Sequence, residues 1–161
     1  MENWKPLIDI EYKQIWDFVY ENLSFQPNNE AALIKLPIPN KVYNISSFYN
    51  EGFDEKFYDD LHKIAIKCFK ILSNNKNMYA LNWQHQCFSF NPELPFEKDD
   101  FDEWLIPVFP NGDYLFFITN DLKNGVFSDG INLRISLFGK KMIELFDKYK
   151  PKIFVNCELL Y

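Results

Sequence analysis

Turn signals recur through the second half of the chain at intervals too short for helices of ordinary length. Pro110-Asn111-Gly112-Asp113, Asn124-Gly125 and Asp129-Gly130 supply the residues that accept the positive φ of a tight turn. The apolar runs around them therefore read as antiparallel strands. Residues 113–119 are apolar on both faces through Leu115, Phe116, Phe117 and Ile118, which predicts a central strand. Residues 131–138 alternate, as a strand with one buried face does. Residues 78–90 read as one long strand, and residues 104–109, broken by Pro107, as at most an edge strand.

Helical spacing governs much of the remainder. Tyr12, Ile15, Trp16, Val19 and Leu23 recur at a helical interval over residues 9–23, and Asp9 can cap the first turn through its carboxylate. A second helix is predicted over residues 53–72, with Phe57, Leu61, Ile64 and Cys68 on its apolar stripe. Ser73-Asn74-Asn75 ends it, because these side chains compete for backbone hydrogen bonds. His62 falls off the stripe and is expected at the surface. A third helix covers residues 139–149 with Met142, Ile143 and Phe146 inward, and Pro151 limits it. Residues 24–40 carry Pro27, Pro37 and Pro39 and read as loop with a short extended piece at 33–36. Residues 42–48 and 152–157 read as strands. The expected fold is one α+β domain over residues 1–161, a single antiparallel sheet of five or six strands with helices packed mainly on one face.

Composition excludes several function classes. The net charge of −6 and a single arginine, Arg134, among 17 basic residues argue against nucleic-acid binding, which needs clustered cations on phosphate. The apolar runs are too short to cross a bilayer, and the opening residues show no basic-then-apolar leader, so the expected place is the cytoplasm. Cys68, Cys87 and Cys157 are too scattered for a zinc site or a disulfide framework, and no glycine-rich phosphate loop is present. No cofactor and no metal is expected. The aromatic share of 19% is met mostly by core packing, since large apolar rings are mostly buried; a binding surface rich in exposed aromatics is the alternative.

The candidate site residues come from residues 78–90 and their neighbours. If that segment is one strand, Tyr79, Leu81, Trp83, His85 and Cys87 face one side and Asn82, Gln84 and Gln86 the other. The first set reads as the core side, with His85 inward. The amide row forms a polar face, as Arg134 does with Asn132 and Ser136 by the same parity. If the two strands share that face, a lone guanidinium among amides can hold an anion or a partner's carboxylate; otherwise it is a solvated side of an antiparallel sheet. Trp104, behind the acidic run of residues 97–103, completes the binding set. The alternative is a small hydrolase or transferase with His85 as general base and Asp113 or Glu103 as its orienting carboxylate. Cys87 cannot serve as its nucleophile, since neighbours on one strand face are about 6–7 Å apart.

Tyr43-Asn44-Ile45-Ser46-Ser47, Trp83-Gln84-His85, the run from Trp104 through Pro110-Asn111-Gly112-Asp113-Tyr114, and Leu137-Phe138-Gly139 together resemble a bacterial family of Bacillus-type proteins known as domain of unknown function 2716. The resemblance covers nearly the whole chain and implies no established reaction. Where the family carries a Gly-His-Pro-Trp-Glu-like segment before the last strand, this chain has Ser128-Asp129-Gly130-Ile131-Asn132. Any catalytic work of that His and Glu in relatives would be absent here. The expected function is a non-catalytic cytosolic binding protein of the immunity or antitoxin kind, acting on a basic partner protein such as a toxin.

Overall fold

A computed structural model describes residues 3–28, 30–50, 54–155 and 157–160. In chain order the elements are β1 (Lys5–Pro6), α1 (Asp9–Asn22), β2 (Asn40–Asn44), α2 (Ser47–Asn50), α3 (Glu55–Ser73), β3 (Met78–Asn82), β4 (Phe88–Phe90), β5 (Tyr114–Thr119), β6 (Gly125–Asp129), β7 (Arg134–Phe138), α4 (Lys140–Tyr149), α5 (Lys152–Val155) and β8 (Glu158–Leu160). The strands form an antiparallel α+β sheet in the order β1-β4-β3-β5-β6-β7-β2-β8. It has eight strands among the described residues, not five or six, because the edges recruit short pieces the periodicity does not mark. β5 to β7 run as a meander through the Asn124-Gly125 and Asp129-Gly130 turns, and β2 returns from earlier in the chain to pair with β7.

Both faces of the sheet are buried. β5 is buried along its whole length: Tyr114, Phe116 and Ile118 join Ile15, Trp16 and Val19 of α1 on one face. Leu115 and Phe117 join Leu61, Ala65, Met142, Phe146 and Ile153 from α3, α4 and α5 on the other. Three helices thus share one face, and α1 with the chain that follows it covers the opposite one. Each fully buried Phe side chain contributes roughly 1.5–3 kcal/mol.

Several expected elements take another form. Asp9 is not the N-cap of α1; Ile8 holds that place with no side-chain cap bond, and Asp9 in the first turn still favours the helix through its charge. Residues 42–48 divide into β2 and the short α2, residues 152–157 give way to α5 before β8, and β7 begins only at Arg134. The expected extended piece at 33–36 amounts to a bridge between Gln26 and Leu33. Residues 104–109 form no strand beyond a bridge from Lys98 to Trp104, yet Trp104, Ile106, Val108 and Phe109 are buried. α3 runs from Glu55 and ends at Asn74 in the left-handed region, as its closing asparagines predict; Phe53 lies outside the described residues. Gly130 stands where a Cβ would strike the backbone of Gly112, so the two turns can meet only with glycine there.

Candidate functional site

The segment expected to be one strand is a hairpin. β3 ends at Asn82 and β4 starts at Phe88, the two pairing Met78 to Phe90 and Ala80 to Phe88. The turn between them is held by His85 N–H donating to Asn82 C=O at 3.0 Å and by the Cys87 thiol directed at the Asn82 and His85 carbonyls at 3.6 and 3.5 Å. Burial raises the Cys87 thiol above its usual range. Trp83 ties the turn to α1 by donating its indole N–H to the Tyr20 hydroxyl at 3.2 Å. Gln84 takes a positive φ of 65°, and Gln84, His85 and Gln86 are exposed. The alternation that places His85 in the core fails because the chain reverses between Asn82 and Phe88. A signal was available: of the five residues from Asn82 to Gln86 only Trp83 is of a type enriched in strands.

The polar face also divides. Asn82 lies opposite Leu115, which lies opposite Ser128, which lies opposite Ile135, so Asn82 belongs to the α3 face. Arg134 lies opposite Asp129, which lies opposite Tyr114, on the α1 face. Asn82 and Arg134 do not share a surface. Asn82 donates its amide to Asp113 at 3.1 Å, and its Oδ1 is buried without a hydrogen-bond partner. Asp113 is thereby engaged with Asn82, and Glu103 sits beside α3. Among the described residues neither carboxylate forms an ion pair or hydrogen bond with His85. The proposed general-base set is not assembled.

His62 is the histidine that the fold buries, at 4% exposure. Its Nδ1 meets Tyr58 C=O at 2.8 Å and its Nε2 accepts from Val108 N–H at 2.9 Å, which fixes the neutral Nδ1–H tautomer. Burial lowers its pKa to about 4, with the Tyr58 bond opposing. Its ring stands edge-on to Trp104 with centroids 4.5 Å apart. Trp104 is itself 5% exposed and packs on Trp4, Phe96 and Phe117. It is an anchor, not a contact surface.

What Trp104 anchors is the acidic loop of residues 97–103. Asp99 Oδ1 accepts from Phe101 N–H at 2.8 Å and Glu103 N–H at 3.1 Å, and Asp99 N–H donates to Glu103 C=O at 2.7 Å. Glu97 accepts from Trp4 N–H at 3.1 Å. The closed turn presents Phe101 at 84% exposure. Beside it, Glu55, Tyr58 and Asp59 of α3 with Asp102 and Glu103 line a cavity of about 320 Å³. Lys98 is the one cation of the loop and pairs with Asp102 at 3.4 Å. Burial first, then Glu103, Asp99 and Asp59, push the Tyr58 phenol above its ordinary range, so negative potential converges on this cavity.

Among the described residues no three His, Cys, Asp or Glu side chains converge as metal ligands would, and no helix is long and apolar enough to cross a membrane. No solved structure matches the chain. It is 35% identical to the uncharacterised protein YxiI of Bacillus subtilis (strain 168) over 161 residues, covering 97% of this chain and 99% of that one. Residues 6–143 match the family described as protein of unknown function DUF2716, and the chain belongs to that family.

Proposed function

We propose that the protein is a non-catalytic binding protein that holds a basic partner protein, and that it acts in the cytoplasm as an immunity or antitoxin-type neutraliser of that partner. The observation that carries this reading is Phe101, an aromatic ring 84% exposed within a loop of five carboxylates and one lysine. An exposed aromatic ringed by charge has the composition of an interface hot spot with a polar rim. The loop closes its own hydrogen bonds before any partner arrives, so little ordering cost falls on association. The surrounding carboxylates would speed encounter with a cationic surface and weaken in salt. Three free cysteines, two of them buried, accord with a reducing compartment.

The test is capture of partners by the immobilised chain, with the products of neighbouring genes co-expressed, in parallel with the Phe101→Ala and Glu103→Lys variants. The expected result is a basic protein retained by the unaltered chain, released by salt, and bound by Phe101→Ala with an affinity lower by about 2 kcal/mol or more. Retention of no protein partner, or equal retention by all three chains, overturns the reading.

A further inference from the structure

On the sheet face opposite the acidic loop, the β6–β7–β2 strip forms the floor of a cavity of about 390 Å³ walled by the segment that leads into β2. Ser136 lies at the centre of that floor, opposite Phe127 on one side and Val42 on the other. The residue as a whole is 5% exposed, but its hydroxyl borders the cavity and is not sealed from solvent. A hydroxyl placed there can donate to or accept from a ligand in the cavity. Arg134 stands two residues along the same strand and so on the same face, about 6–7 Å away.

Arg134 has an obvious internal counter-ion that it does not use. Asp129 is its direct cross-strand partner, yet that carboxylate is committed to its own turn. Oδ1 accepts from Ile131 N–H at 2.9 Å and Asn132 N–H at 3.0 Å, and Oδ2 accepts from the Asn132 amide at 3.0 Å. Among the described residues the Arg134 guanidinium forms no ion pair or hydrogen bond. Lys35 adds a second cation to the wall, while Ile34, Leu36, Val42 and Phe127 supply apolar surface. A planar guanidinium fork, a cavity-facing hydroxyl and an apolar floor match a carboxylate attached to an apolar body. The volume lies in the range of small-ligand sites, roughly 300–1,000 Å³.

We propose that this cavity binds a small amphipathic carboxylate, its carboxyl group held by Arg134 and Ser136 and its apolar portion laid against Phe127 and Val42. The site stands apart from the acidic loop and does not rest on the binding function assigned there.

The test uses hexanoate as probe on the full chain, followed by amide shifts of residues in β6, β7 and the 130–133 turn. Hexanoate should saturate with a Kd of ~1 mM, as expected for a ligand of its size, and move the Phe127, Asn132 and Ser136 signals. Hexanamide, the same shape without the charge, should bind at least about tenfold more weakly. Arg134→Gln should weaken hexanoate by about tenfold or more and Ser136→Ala by less, both with unchanged amide spectra elsewhere. Equal binding of hexanamide, displacement of hexanoate by an equal concentration of inorganic phosphate, or shifts that avoid these residues would overturn the proposal. So would the absence of saturable binding, or an unchanged affinity in Arg134→Gln.

Discussion

The acidic loop at Phe101 and the cleft at Arg134 lie on opposite faces of one sheet and are built by opposite means. The loop satisfies its own polar groups: Asp99 takes the Phe101 and Glu103 amides, and Trp104 fastens the end of the loop into the core. What remains for a partner is an apolar ring and unspent negative charge. The cleft does the reverse, for its one carboxylate accepts bonds within the 130–132 turn, leaving an exposed guanidinium and a cavity-facing hydroxyl. A surface whose hydrogen bonds are closed can meet another protein with little reorganisation. One with open polar groups at a cavity can offer them to a small ligand.

The contrast breaks most visibly at the loop's anchor. Trp104→Ala removes a ring packed on Trp4, Phe96, His62 and Phe117 and should cost about 3–5 kcal/mol, measured by urea denaturation. A cost below about 1 kcal/mol would mean that the loop stands without its buried base.

Acid should act on the same side of the sheet. His62 has a folded pKa near 4 against an ordinary 6.5, so the unfolded chain binds more protons between those values. The contribution of neutral His62 is therefore fully present above about pH 6.5 and lost as pH falls through about 4, up to ~3 kcal/mol in all. Comparing wild type with His62→Gln at a series of pH values isolates it from the carboxylates. A stability difference between the two chains that does not change across this window would refute the assignment.

Two smaller effects sharpen the comparison. Asp99→Ala leaves two loop amides without their acceptor and should cost about 1 kcal/mol, with faster hydrogen exchange at Phe101 and Glu103 as the direct readout. Arg134→Gln, by contrast, removes a side chain that bonds to no described residue and should change stability by less than about 0.5 kcal/mol. A larger loss on thermal denaturation would show that the guanidinium already serves the fold.

Much of the fold was legible locally. The stripes of α1, α3 and α4 follow from spacing, because a helix face is fixed by residues three and four apart whatever packs on it. The Asn124-Gly125 and Asp129-Gly130 turns and the central place of β5 follow from turn chemistry and from apolar residues on both faces of one segment. The candidate site was less legible. Arg134 and Ser136 share a face and a cavity, as parity within one strand predicts. Asn82 was assigned to that surface wrongly, since parity between strands depends on register, and Gln84, His85 and Gln86 fell in a turn.

The sequence by itself determined the element types wherever a period of two or three to four ran uninterrupted, and it determined family membership. The tertiary structure alone decided which histidine is buried. His62 lies off the apolar stripe of its helix, yet Val108 and Trp104 arrive from distant chain to cover it. His85 lies on an apolar parity, yet the chain turns beneath it and leaves it in solvent. Periodicity describes a residue's direction relative to its own element, whereas burial depends on what comes to meet it, and a single unmarked turn resets every face that follows.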